Sequence, residues 1–193
     1  MIRRLVLAST SPFRRELLGR LQLPFETAVP AVDERPLDGE APATTAIRLA
    51  QAKAVAVAAR FPQALVIGSD QVAACGEQRF GKPGNRNAAV NQLQSMRGRE
   101  IIFHTGVCLL DSASGRLQSA CIPTQVGIRG LTDDEIFAYL DKEDALGCAG
   151  SAKSEGLGIA LMRYLRGDDP TALVGLPLIA LCEMLRVEGI ALP

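Results

Sequence analysis

No run of five like charges occurs anywhere in this chain, and Lys plus Arg balance Asp plus Glu at 21 each. That removes both a polynucleotide footprint and attraction to an anionic membrane surface. Any cations that hold a phosphate must be few and local. The cysteines Cys75, Cys108, Cys121, Cys148 and Cys182 form no CxxC pair and are accompanied by a single histidine, His104. This spacing excludes a zinc framework, and an odd, unpatterned set of thiols fits a reducing cytoplasm. No apolar stretch reaches the roughly 18 residues of a membrane span, and the Leu5–Ala8 run behind Arg3 and Arg4 is too brief for the core of a secretion signal. A soluble cytoplasmic protein is expected. Repeats, low-complexity tracts and Ser/Gly linkers are also missing, so residues 1–193 are expected to form one domain. A chain of this length can bury about 70% of the surface its unfolded form exposes, without disulfide or metal staples.

What is present alternates between strand and helix signals. Leu5-Val6-Leu7-Ala8 reads as a buried strand that stops at Ser9-Thr10-Ser11-Pro12. Ser11 is placed to cap a helix toward Leu21, with Pro12 in its first turn. Thr44 or Thr45 is the expected cap of a second helix reaching about Arg60, with Ile47, Ala50, Ala54, Val57 and Ala58 at helical spacing and Lys53 on the flank of that face. Ala64–Ile67 is short enough for a buried strand, ending in Gly68-Ser69-Asp70-Gln71-Val72. Asn85 or Asn87 opens a helix through Met96, and Ile101–Leu110 and Leu117–Ile128 read as strands around a hairpin turn at Asp111–Gly115. Thr132 and Glu135 form a capping box for a helix over Asp133–Leu140, and Gly175-Leu176-Pro177 introduces an apolar C-terminal helix. The pattern predicts an α/β protein with a mixed sheet.

Several polar positions carry candidate chemistry. Ser9 to Arg14 gather hydroxyls and a guanidinium group at a helix N-terminus, with a second guanidinium next door on Arg15, a physically sound anion site; Arg14 and Arg15 can equally cover a helix flank. Gly76–Pro83 nearly matches a P-loop but ends in Pro83, which has neither the hydroxyl for Mg²⁺ nor a backbone N–H for phosphate. What survives is Lys82, either a point charge for a phosphate or a solvated turn lysine. Asp70 is a metal ligand, a base that orients water, or a strand-end carboxylate capping a neighbouring helix. A free aspartate, with a pKa of about 3.9, is a poor base at neutral pH, so a catalytic Asp70 implies a divalent cation that acidifies water. Glu34 follows Asp33 in an extended stretch, where acidic pairs are usually solvated. Lys53 beside an apolar face either snorkels to water or lines a cleft.

In order, these pieces resemble the Maf family along nearly the whole chain. Leu7 to Leu18, with Ser9-Thr10-Ser11-Pro12-Phe13-Arg14-Arg15, is similar to its signature. Val32-Asp33-Glu34, Arg48–Ala54, Ile67-Gly68-Ser69-Asp70, Gly81-Lys82-Pro83, Thr105-Gly106-Val107, Ala149-Gly150 and Val174–Leu178 follow in the family's order. The resemblance implies an elongated, two-lobed α/β fold of the Maf/inosine-triphosphatase kind, with a mixed sheet, a nucleotide cleft between lobes and usually a homodimer. It implies a nucleoside triphosphate pyrophosphatase using Mg, Mn or Co. Asp70 matches the catalytic position and, with Glu34, the metal-handling one. Ser9, Arg14, Lys53 and Lys82 match substrate-binding positions.

Three departures narrow the substrate. Phe13, Gln71 and Glu155 stand where the dTTP/UTP branch has Arg, Thr and the Gln of a Gln-Gly pair, and they resemble the branch that hydrolyses 7-methyl-GTP. Methylation at N7 puts positive charge on guanine. An aromatic face such as Phe13 attracts that cation by ~0.5–2 kcal/mol, and a carboxylate such as Glu155 adds charge and hydrogen-bond acceptors. The expected reaction is water attack at the α-phosphorus with release of pyrophosphate. Two alternatives stand beside it: the same reaction on dTTP or UTP, and a nucleotide-sensing regulator of cell division, a role to which the family has been linked.

Overall fold

The computed structural model describes residues 3–193. Its elements are β1 (Arg4–Ala8), α1 (Pro12–Gly19), β2 (Glu26–Ala28), α2 (Pro42–Ala58), β3 (Ala64–Cys75), β4 (Gln78–Phe80), α3 (Arg86–Met96), β5 (Glu100–Asp111), β6 (Leu117–Ile128), α4 (Asp133–Lys142), β7 (Met162–Arg166) and α5 (Leu178–Val187). The strands run in the order β2-β1-β3-β5-β6-β7, with β4 also on β3. β1 is parallel to β2 and β3, whereas the β3/β4 and β6/β7 pairs are antiparallel, so the sheet is mixed, as the sequence predicts. Two compact units divide the chain. The first holds the residues up to Gln71 with Thr105–Ile122 and Asp169–Pro193; the second holds Val72–His104 and Pro123–Asp168.

In the first unit, side-chain alternation sorts β1, β3 and β5 onto two faces. Leu5, Leu7, Leu65, Ile67, Val107 and Leu109 join Leu17 and Leu18 of α1 and Leu181 and Leu185 of α5 in one core. Val6, Ala8, Val66, Cys108 and Leu110 join Ala50, Ala54 and Val57 of α2 in the other. Strands covered on both faces explain the unbroken apolar runs. The α2 helix lies unusually close. A Cβ on Gly68 would sit 2.0 Å from the Ala50 carbonyl oxygen, and one on Gly106 would sit 2.3 Å from that of Ala46. Only glycine leaves room for the helix backbone there.

The caps at Ser11, Asn85 and Thr132–Glu135 form as expected. Elsewhere the boundaries differ. α1 stops at Gly19 because its end tightens into i−3 bonds, Arg20 N–H to the Leu17 carbonyl and Leu21 N–H to that of Leu18. Neither Thr44 nor Thr45 caps α2. Ala41 holds the cap position, Pro42 presets the first turn, and the Thr45 hydroxyl donates to the Glu40 carboxylate at 2.8 Å instead. β3 continues to Cys75 because β4 pairs with Ala73–Cys75 around a turn at Gly76 (φ 60°). The expected strand end at Asp70 is therefore corrected, and Asp70 lies mid-strand. No helix among the described residues is long and apolar enough to cross a membrane.

The α5 N-terminus has no cap of its own at Pro177. Asp169 supplies one from a distance: its Oδ2 accepts from Ile179 N–H at 2.7 Å, while the Thr171 hydroxyl oxygen accepts from Leu178 N–H at 2.8 Å. Asp169 Oδ1 also accepts from Thr171 N–H and the Thr171 hydroxyl, so the buried carboxylate is fully engaged.

Two stability measurements follow. Gly68→Ala is expected to cost on the order of 1–3 kcal/mol or more by forcing α2 off the sheet, and Asp169→Ala about 1–2 kcal/mol by uncapping α5. Urea denaturation of both variants checks this; unaltered midpoints would contradict the packing and the cap respectively.

Candidate active site

The close approach of α2 decides where Lys53 goes. Its buried face reads Ala46, Leu49, Ala50, Lys53, Ala54 and Val57, a regular helical stripe in which the lysine takes a core position. Lys53 is therefore buried among the core residues, not on their flank. On β3 the even-numbered residues face α2, which puts Asp70 opposite it, two residues beyond the Gly68 contact. The Lys53 ammonium donates to Asp70 Oδ1 at 2.6 Å and pairs with Glu34 Oε1 at 2.8 Å. The two carboxylates differ: the Asp70 side chain is 10% exposed and that of Glu34 58%. One is fixed by the sheet and the other reaches in from solvent.

Glu34 sits on the loop between β2 and α2, and that loop is tied down at several points. Arg48 of α2 grips the Glu40 carboxylate with Nε at 2.6 Å and Nη2 at 2.8 Å, and Nη2 also lies 3.1 Å from the Arg35 carbonyl. Arg60 donates to the Val29 carbonyl at 2.6 Å. Asp33 turns away to Arg35, whose guanidinium holds the Asp33 carboxyl down at about 2. The adjacent acids thus separate, Asp33 serving the loop and Glu34 the lysine.

Arg14 approaches from α1. Burial lowers its pKa, while the charges of Asp70 and Glu34 act in the opposite direction; a guanidinium stays protonated at neutral pH regardless. Its Nε donates to the Gly175 carbonyl at 2.8 Å. The Ala172–Gly175 segment that presents this carbonyl is held by the odd-numbered face of β3 and by Thr105. The Ser69 hydroxyl lies 2.9 Å from the Gly175 oxygen, the Thr105 hydroxyl donates to the Ala172 carbonyl at 2.9 Å, and Gln71 Nε2 lies 3.1 and 2.9 Å from the Ala172 and Leu173 carbonyls. Ser69, Asp70 and Gln71 thus split across the sheet: Asp70 meets Lys53, and its neighbours anchor the loop that orients Arg14.

Ser9 is buried, and its hydroxyl oxygen accepts from Ser11 N–H at 3.1 Å. It borders an open hollow of about 510 Å³ at the start of α1, also lined by Ser11, Arg15, Phe25 and Thr27. Asp70, Lys53 and Glu34 do not line that hollow. Phe13 is half-buried on α1. Lys82 and Glu155 belong to the second unit, where both side chains are exposed. Glu155 Oε2 accepts from the Ser154 hydroxyl at 3.3 Å. The first unit therefore gathers Arg14, Glu34, Lys53 and Asp70, and the second carries Lys82 and Glu155.

Sequence reasoning missed the Arg48–Glu40 clamp, the loop-holding roles of Ser69 and Thr105, and Asp169. Only Asp169 left a local signal, the Asp-Pro-Thr turn composition of Asp169–Thr171. Among the described residues no group of three or more His, Cys, Asp or Glu side chains could hold a metal ion unaided. Glu34 and Asp70 offer two hard oxygen donors, a set that suits Mg²⁺ or Mn²⁺ when substrate phosphates and water complete the shell.

A family model described as "Maf-like protein" matches residues 4–188. A protein of Aromatoleum aromaticum named 7-methyl-GTP pyrophosphatase is 62% identical over 190 residues, covering 98% of each chain. Proteins of the same name from Paraburkholderia xenovorans and Cupriavidus metallidurans are 58% and 56% identical, each covering 96% of this chain and 92% and 93% of their own. With its mixed sheet, its buried Lys53–Asp70 pair and a match spanning nearly its whole length, this chain belongs to the Maf family.

Proposed function

We propose that this chain hydrolyses 7-methyl-GTP to 7-methyl-GMP and pyrophosphate. The observation that carries the reading is the buried ammonium of Lys53, held between Asp70 and Glu34 beside the charge of Arg14. A cation and two carboxylates crowded at the edge of water are costly to maintain for stability alone. They suit a reaction in which a polyanion and a water molecule must be held together. The relatives named for this activity support the choice of substrate.

Water attacks the α-phosphorus, the bond to the bridging oxygen of the β-phosphate breaks, and pyrophosphate leaves. Asp70 orients that water and takes its proton. Its position opposite Lys53 fixes the carboxylate's rotamer, leaving the second oxygen free of the lysine. With Nε committed to Gly175, the Nη atoms of Arg14 are the donors available to phosphate oxygens. Arg14 and Lys53 stabilise charge that grows on the leaving group, the usual main contribution in phosphoryl chemistry, and Lys82 is the second unit's own candidate cation for a phosphate. Glu34 and Asp70 would hold a divalent cation, which supplies charge neutralisation and acidifies water when bound. Ser9 presents its hydroxyl to the phosphates at the start of α1.

Phe13 in the first unit and Glu155 in the second are each candidates for base selection, since either would favour the cationic 7-methylguanine. Gln71 contributes through the Ala172–Gly175 loop to which its amide is committed. The same reading takes residues 1–193 as one Maf-like domain, acting as a cytoplasmic homodimer without membrane or polynucleotide partners.

Asp70→Asn keeps an acceptor for Lys53 and removes the base. Turnover is expected to fall about 10²–10⁴-fold with nucleotide binding retained, measured by pyrophosphate release and by calorimetric titration. Full turnover would remove Asp70 from the chemistry. Across a panel of 7-methyl-GTP, GTP, dTTP and UTP, the first should lead by roughly 10- to 100-fold, equivalent to about 1.4–2.8 kcal/mol. Phe13→Arg should erode that lead. A lead for UTP or dTTP in the unaltered protein would reassign the substrate.

A further inference from the structure

Within the second unit, one side chain links the segment that carries Lys82 to the segment that carries Glu155. Gln92, on α3, donates from Nε2 to the Gly81 carbonyl at 3.0 Å, and its Oε1 accepts from the Ser151 hydroxyl at 2.9 Å. The amide orientation is fixed by chemistry, because a carbonyl accepts only and so must face the NH₂ end. Gly150 N–H donates to the same Gly81 carbonyl at 3.2 Å, and Gly84 N–H donates to the Leu146 carbonyl at 3.2 Å. Gly81 and Gly84 flank Lys82 and Pro83, so the lysine turn is pinned on both sides to the segment leading into Ala149–Ser151.

Ser151 is the point of strain. Gly150 and Ser151 are consecutive left-handed residues (φ 67° and 57°), a conformation a serine adopts only when its surroundings enforce it. Ser151 is fully buried, and each of its polar groups has a partner: N–H to the Cys148 carbonyl, hydroxyl to Gln92, carbonyl from the Tyr139 hydroxyl. Beyond it the chain is held again, with Lys153 N–H donating to Tyr139 Oη and Lys153 Nζ to Glu143 Oε1, just before Ser154-Glu155.

We infer that Gln92 is a positioning residue, which through Gly81 and Ser151 fixes the spacing between the phosphate-binding Lys82 and the base-selecting Glu155. This rests on the roles proposed above for those two residues. A nucleoside triphosphate has a limited reach between its base and its phosphates. A rigid bridge between the two segments makes the site demand both ends of one molecule together.

The test uses the full chain. Gln92→Met keeps the volume and removes both hydrogen bonds, and Ser151→Ala removes only the hydroxyl. Each should raise KM for 7-methyl-GTP about 10-fold, as expected for losing an oriented hydrogen bond or two, and narrow the 7-methyl-GTP over GTP preference. kcat should change less than about threefold. Because both act through one bridge, the double variant should be no worse than the poorer single one. Lys82→Ala and Glu155→Gln run alongside. If these two leave KM and preference unchanged, the roles assigned to Lys82 and Glu155 are wrong. If they alter them while both bridge variants behave as the unaltered protein, Gln92 is not a positioning residue. Additive effects of the bridge variants, or KM changes that only track a fall in melting temperature, would equally overturn the inference. Should Gln92→Met not fold, Ser151→Ala alone decides between these outcomes.

Discussion

An ammonium group taken out of water loses several kcal/mol of hydration that only nearby oxygens can replace. Lys53 is in that position because α2 packs its backbone onto β3 and β5 at Gly68 and Gly106, too close for any side chain there. Having buried the lysine, the fold must supply counter-charge, and Asp70 and Glu34 do so from a central strand and from a clamped loop. Much of the first unit follows from this requirement. Arg48 and Glu40 hold the loop that delivers Glu34. The 172–175 segment that orients Arg14 is itself gripped by Ser69, Gln71 and Thr105.

The arrangement separates rigid from adaptable groups. Asp70 is fixed by sheet register and by Lys53, which suits the role of proton acceptor proposed for it, a geometry ready before substrate arrives. Glu34 lies on a loop with its side chain more than half exposed, which leaves it freer than Asp70 to exchange partners. The second unit repeats the theme by other means: Lys82 and Glu155 are exposed, but the backbone on either side of each is tied through Gln92, Ser151, Tyr139 and Glu143. Exposed side chains on pinned backbones are suited to binding a diffusible ligand without first paying to order a loop.

What could be read in the sequence was what short-range chemistry controls. Ser11-Pro12, Asn85 and Thr132-x-x-Glu135 announced their helices, and the apolar runs of β1 and β3 announced burial on both faces. The ordered motifs pointed to the family and to the residues of the buried pair. Errors arose where a contact outside an element overrode the chemistry within it. Thr45 has the chemistry of a cap but answers to Glu40, β3 outlasts its apolar run because β4 pairs with it, and α5 borrows its cap from Asp169. The burial of Lys53 was legible only as a flank position, because nothing in α2 itself reveals how near the sheet comes; that information lies in two glycines on other strands. Gln92 carried no local signal at all, since its partners are 11 and 59 residues away.

On the proposed mechanism, the residues around Lys53 direct water to the α-phosphorus of 7-methyl-GTP. Hydrolysis in ¹⁸O-labelled water, with both products analysed by mass spectrometry, addresses it most directly. One labelled oxygen in 7-methyl-GMP and none in pyrophosphate is the predicted result. Label in pyrophosphate, or release of inorganic phosphate in its place, would contradict the account.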